Sequence, residues 1–175
     1  LRYDFLETFL KCIHPGDKIF STTGYTSREI YSIRKKVNDQ NIGSDFYMVG
    51  GMGHTSSVAS AYSALNKKGK KRVYCIDGDG SMLMHLGSLP YASTRNKNFK
   101  YILLNNNTHE SVGYHFTNSK YINFKAFSSS IGFKNFMLLK NKKEIKKKLK
   151  KFLKYKTNSF LEVRIMTKSM SNLPR

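Results

Sequence analysis

Two short motifs hold residue types that could together grip a phosphate and a metal ion. Gly78-Asp79-Gly80-Ser81 sets a carboxylate between two glycines, directly after an apolar run. Asp79 is a hard oxygen ligand of the kind Mg²⁺ takes, with phosphate oxygens completing the coordination. Gly80 and Ser81 are placed to open a helix, where unpaired N–H groups and the helix dipole favour a phosphate. Asn105-Asn106 follows, with Asn106 lying 27 positions beyond Asp79 (106 − 79 = 27). One helix and one strand fit in that interval, so the Asn106 amide returns beside Asp79. A carboxylate, an amide oxygen and a nearby backbone carbonyl could then hold a cation against a diphosphate. Either motif alone reads as a turn; the pair at this spacing reads as a site.

The elements that must position these residues alternate along the chain. Short apolar strands are expected at 18–22, 46–49, 72–76, 101–104, 135–138 and 160–165. Helices are expected at 26–37, 55–65 and 81–94, with Pro90 kinking the last one. A further helix carries Ile145, Leu149, Phe152 and Leu153 at i, i+4, i+7 and i+8. Asn141 and Glu144 are spaced as a capping box at its start. Such alternation implies an α/β fold of three layers, α/β/α, with a mostly parallel, doubly wound sheet. The chain 1–175 reads as one domain. Ligands of such sheets bind beyond the C-terminal strand ends. Four strands end there in polar or glycine-rich turns: Thr22-Thr23-Gly24, Gly50-Gly51-Met52-Gly53-His54, Asp77-Gly78-Asp79-Gly80-Ser81 and Asn105-Asn106-Asn107-Thr108-His109-Glu110.

The Gly-Asp-Gly and Asn-Asn pair resembles the thiamine-diphosphate motif. Three stretches resemble phosphonopyruvate decarboxylase more narrowly: Ser21-Thr22-Thr23-Gly24-Tyr25-Thr26-Ser27-Arg28-Glu29, Gly51-Met52-Gly53-His54 with Ser56-Ser57, and His109-Glu110-Ser111-Val112-Gly113. Sulfopyruvate decarboxylase is a near relative with the same cofactor core. The resemblance implies a thiamine-diphosphate-binding (diphosphate-domain) fold and Mg²⁺ held by Asp79, the Asn106 side chain and the Thr108 carbonyl. It implies a cofactor site built from Thr23, Gly24, Gly50, Gly51, Met52, Gly53, Gly78, Asp79, Gly80, Ser81 and Asn106. Met52 falls where an apolar side chain wedges between the two cofactor rings. His109, Glu110 and His54 become the candidate catalytic residues. The reaction implied is decarboxylation of a small anionic 2-oxo acid, phosphonopyruvate giving phosphonoacetaldehyde, with sulfopyruvate or a non-catalytic cofactor-binding subunit as alternatives. The family also needs a glutamate from a pyrimidine domain. This chain has no room for one, so a partner chain or an N-terminal half is expected, in a homo- or hetero-oligomer. Departures from the family pattern are Tyr114-His115-Phe116 after Gly113 and Asn107 in place of a glycine.

Composition narrows the remaining classes. The net charge of +20 invites a nucleic-acid reading. Yet 140–156 alone holds ten Lys and one Glu, a net of +9, on the solvated side of one helix. No nucleic-acid motif accompanies it, so that partner is not expected. No stretch reaches the roughly 18 apolar residues of a membrane span. Cys12 and Cys75 have no metal-type spacing, and Cys75 reads as a buried reduced thiol, which suggests a cytoplasmic setting. His14 and His85 read as non-functional, His85 as packing within a helix.

Overall fold

The computed structural model describes residues 1–37, 44–66, 71–95 and 99–167. The chain order is α1 (Arg2–Cys12), β1 (Lys18–Ser21), α2 (Tyr25–Lys36), β2 (Phe46–Tyr47), α3 (Thr55–Leu65), β3 (Val73–Gly78), α4 (Asp79–Met84) and α5 (Ser88–Arg95). There follow β4 (Phe99–Asn105), β5 (Thr108–His109), β6 (His115–Phe116), α6 (Phe124–Ser130), β7 (Asn135–Leu139), α7 (Ile145–Lys154) and β8 (Ser159–Arg164). Six strands form one parallel sheet in the order β2-β1-β3-β4-β8-β7. The order reverses between β1 and β3, and a ligand crevice is expected at that point.

Strand alternation builds two cores. On one face Tyr74 and Ile76 of β3 with Ile102 and Leu104 of β4 meet Phe5, Leu6 and Phe9 of α1, Ile30 and Ile33 of α2, and Ile145, Leu149 and Phe152 of α7. On the other, Val73 and Cys75 with Phe99, Tyr101 and Leu103 meet Ala59 of α3, Met82 of α4, Leu89 and Ala92 of α5, and Phe124 of α6. The three expected layers are therefore present. Among the described residues no helix is long and apolar enough to cross a membrane.

Three local expectations change. The helix expected at 81–94 is two helices, broken where His85 leaves helical geometry at φ −145°. Pro90 stands in the first turn of α5, where its missing N–H costs no helical bond. The polar loop after β4 is instead a small antiparallel hairpin, β5 with β6, followed by a 3₁₀ turn at Asn118–Tyr121 and by α6. The capping box is half formed: Asn141 accepts from the Lys143 N–H at 3.0 Å, but the Glu144 carboxylate turns outward to Lys148 at 3.1 Å.

Candidate active site

Parallel pairing of β3 with β4 brings the two motifs together. Gly78 pairs with Leu104, so Asp79, just past the end of β3, comes level with Asn105, the last residue of β4. Asp79 is 1% exposed. Its Oδ2 accepts from the Ser119 hydroxyl at 2.8 Å and from the Thr117 hydroxyl. Among the described residues its Oδ1 has one long contact, 3.4 Å, from the Asn106 N–H. The Asn106 side chain turns back on its own loop, its Oδ1 accepting from the Thr108 N–H at 3.0 Å. That local turn sets Thr108 beside the Asp79–Asn106 pair. Asn107 takes φ +57°, and its Oδ1 lies 2.9 Å from Ser119 Oγ. An asparagine tolerates that left-handed position, so the departure from glycine costs little.

Ser81 joins three loops. Its hydroxyl oxygen accepts from Thr22 at 3.0 Å and from the Gly53 N–H at 2.9 Å. Gly53 sits at φ +89°, and a Cβ there would stand 3.1 Å from Met84 Cβ, so a larger residue would be strained and tightly packed in the loop. Beneath them Asp77 is fully buried, accepting from the Tyr101 hydroxyl at 3.0 Å and the Gly78 N–H at 2.9 Å. Burial pushes this carboxyl up, against the pull of hydroxyls from Ser81, Tyr101 and Thr22.

These loops surround a cleft lined by Thr22 and Thr23 after β1, Met52 after β2, Gly78 through Ser81 after β3, and Asn106 with Thr108 through Ser111 after β4. His109 and Glu110 both reach it. The His109 ring lies against Gly80 so closely that a Cβ there would be 2.4 Å from its Nδ1. Gly24, Gly50, Gly51 and Gly53 do not line the cleft; they shape the loops that do, Gly24 at φ +91° as the N-cap of α2. His54 does not line it either. It is exposed, hydrogen-bonded to the Met52 carbonyl at 3.2 Å, with its ring 4.8 Å from that of His85. His85 is likewise exposed at the end of α4, which corrects its reading as helix packing.

Sequence reasoning missed a buried ion cluster at the site. Arg2 of α1 is 5% exposed and lines the same cleft. It donates to both oxygens of Glu29, each at 3.0 Å, and to Glu110 Oε2 at 2.8 Å. Burial opposes its charge, yet the two carboxylates outweigh that cost and raise its pKa. A signal existed: Arg2, Phe5, Leu6 and Phe9 fall at i, i+3, i+4 and i+7, a cation within an apolar stripe. Glu29 interrupts the stripe of Thr26, Ile30 and Ile33 in the same way.

The residues fit a divalent cation and a diphosphate. Arg2, Glu29, Glu110 and Asp79 sum to −2 (1 − 3), a net negative floor. Glu110 Oε1 is buried with no hydrogen-bond partner among the described residues, and a Cβ at Gly78 would meet nothing within 4 Å. Asp79, Asn106, Thr108, Glu110 and the Gly78–Ser81 turn thus line one open cleft, with one oxygen of the Glu110 carboxylate unpartnered among the described residues.

Comparison with known proteins agrees with this geometry. Residues 23–163 match the family model described as thiamine pyrophosphate enzyme, C-terminal TPP binding domain. The chain is 35% identical over 130 residues to phosphonopyruvate decarboxylase of Streptomyces hygroscopicus, covering 74% of this chain and 30% of that one. It is 36% identical over 116 residues to sulfopyruvate decarboxylase subunit beta of Methanothermobacter thermautotrophicus, covering 66% of this chain and 58% of the subunit. The chain therefore spans less than two thirds of either relative. An X-ray structure from Mycobacterium smegmatis, provisionally assigned as a thiamin diphosphate-dependent enzyme, superposes with a TM-score of 0.70 at 13% identity over 93% of this chain and 31% of that one. At that identity the likeness speaks for the fold alone. With a family match across most of its length and the motif residues meeting at one sheet edge, this chain belongs to the C-terminal TPP-binding domains of the thiamine pyrophosphate enzymes.

Proposed function

We propose that this chain is the diphosphate-holding part of a thiamine-diphosphate- and Mg²⁺-dependent decarboxylase acting on phosphonopyruvate, completed by a pyrimidine domain elsewhere. The observation that carries the metal assignment is the meeting of Asp79, Asn106 and Thr108 beside an unpartnered Glu110 oxygen. Asp79 Oδ1, Asn106 Oδ1 and the Thr108 carbonyl hold the cation. The Gly78–Ser81 turn receives the diphosphate, and Met52 meets the cofactor rings. When bound, thiamine diphosphate supplies the ring that takes the electron pair left as CO₂ departs. His109 donates to the anionic end of the substrate. Glu110, whose Oε1 has no hydrogen-bond partner among the described residues, is placed to relay a proton at the reacting end. His54 acts only if the completed assembly brings substrate to the exposed His54–His85 pair.

A second reading, sulfopyruvate as substrate, is favoured by the 36% identity to a sulfopyruvate decarboxylase subunit beta. Turnover assays on the chain combined with a pyrimidine-domain partner separate the two. Aldehyde release from phosphonopyruvate should exceed that from sulfopyruvate in kcat/KM. The reverse order would assign the sulfonate. Tight cofactor binding without turnover of either would make this a cofactor-binding subunit.

A further inference from the structure

We infer that Arg2, in the N-terminal helix, is a positioning residue that aims the Asn106 amide at the metal position through Glu110. The inference rests on the metal assignment proposed above. A primary amide can present either its oxygen or its nitrogen to a site, and only its partners decide which. The Asn106 Nδ2 donates to Glu110 Oε2 at 3.1 Å. That same oxygen accepts Arg2 Nη1 at 2.8 Å. With the nitrogen anchored on a carboxylate, Asn106 Oδ1 is left on the opposite side, beside Thr108. Glu110 is in turn held by Arg2, whose other two guanidinium nitrogens, Nε and Nη2, donate to Glu29. The guanidinium fork thus ties α1, α2 and the loop after β4 into one geometry.

The consequence is a line of support from Arg2 through Glu110 to Asn106, three side chains from two segments, α1 and the stretch after β4. Arg2 lies outside the family match at 23–163, and Glu110 is 108 positions away from it. Burial makes the orientation firm, because Arg2 is 5% and Glu110 6% exposed and water cannot easily replace either contact. Supporting groups of this kind typically change metal affinity by about 10- to 100-fold when removed.

The test is a double-mutant cycle on the full chain, read by calorimetry of thiamine diphosphate binding over a Mg²⁺ series. Circular dichroism melting of each variant checks its fold. Arg2→Met should weaken the Mg²⁺ dependence by about 10-fold or more. In an Asn106→Ala background the same change should have little further effect, within about 2-fold, because the group it aims is gone. Losses that multiply would show that Arg2 acts elsewhere and overturn the inference, as would wild-type binding by Arg2→Met. If Arg2→Met does not fold, Arg2→Lys carries the cycle. It keeps the charge against both carboxylates but loses the fork, and the same non-multiplying loss is expected. Asp79→Ala is the control for the underlying reading. If it binds cofactor and Mg²⁺ normally, the metal assignment itself fails, whatever Arg2 does.

Discussion

Asp79 takes its two short hydrogen bonds on one carboxylate oxygen and leaves the other, among the described residues, with a single long contact, the oxygen proposed above for the metal. The hydroxyls of Ser119 and Thr117 both settle on Oδ2, which fixes the rotamer and turns Oδ1 toward Asn106. Hydrogen bonds to charged groups contribute about 1.5–3 kcal/mol each. Ser119→Ala should therefore weaken Mg²⁺-dependent cofactor binding by roughly 10-fold. Calorimetry checks this; unchanged affinity would mean Thr117 alone fixes the carboxylate. A second prediction concerns His109. If it donates to an anionic substrate tail as proposed, replacing it with Ala should cost about 1.5–3 kcal/mol, or roughly 10- to 150-fold in kcat/KM. KM for phosphonopyruvate should rise more than KM for pyruvate, with cofactor affinity nearly constant; equal losses would remove His109 from substrate recognition. Asp79 and Asn106 were legible in the sequence because each follows an apolar strand within a fixed motif. Ser119 was not, because nothing local marks a serine 40 positions away as a partner of Asp79. Arg2 was hidden for the same reason, although its place in an apolar stripe was readable.

Elements were legible where periodicity ran long and were not where loops hydrogen-bond to themselves. The six sheet strands follow from their apolar runs. The β5–β6 hairpin does not, since its two-residue strands carry Thr108, His109, His115 and Phe116, with no alternation to read. The lysine helix was read correctly: Ile145, Leu149 and Phe152 are buried while Lys146, Lys147, Lys150 and Lys151 face solvent. One lysine escapes that logic. Lys100 of β4 is 1% exposed, with Nζ donating to the Tyr155 carbonyl at 2.8 Å, the Thr157 carbonyl at 2.5 Å and Ser159 Oγ at 3.1 Å. It ties the end of α7 to the start of two strands. Burial, with a smaller push from the Arg72 charge, lowers its pKa to about 8, even though three oxygens solvate it. A lysine whose folded pKa lies below its unfolded value of 10.5 binds its proton less well in the folded chain. Stability should thus rise from pH 8 toward 10.5, as the burial cost of the charge is relieved. Urea unfolding across that range, wild type against Lys100→Met, isolates the effect because the exposed lysines cancel. A difference that stays flat with pH would show that the three oxygens hold the charge at full strength.

At the scale of the whole molecule, the cleft edge carries apolar side chains that water does not favour. Val49 is 88% exposed, Phe116 83%, Met166 77% and Tyr121 76%. Each lies in a segment that follows the C-terminal end of a sheet strand, the edge on which the cleft opens. Apolar surface marks an interaction face where it is contiguous. The +20 charge lies partly elsewhere, on the exposed flank of α7, and sets solubility rather than the site. On the proposal above, the pyrimidine-domain partner would dock at this apolar edge and bring its glutamate to the cofactor there. The isolated chain should then bind thiamine diphosphate with Mg²⁺ but decarboxylate no 2-oxo acid, and a pyrimidine-domain chain should restore turnover. Phe116→Asp and Val49→Asp should each weaken that association, since a charge replaces apolar area at the joint. Neither should shift the melting temperature of the isolated chain, as both side chains are already in water. Sedimentation of the mixed chains, with turnover measured on the same samples, reads both effects. Robust turnover by the chain alone would show that the acid–base chemistry lies wholly within these residues and that no second domain completes it.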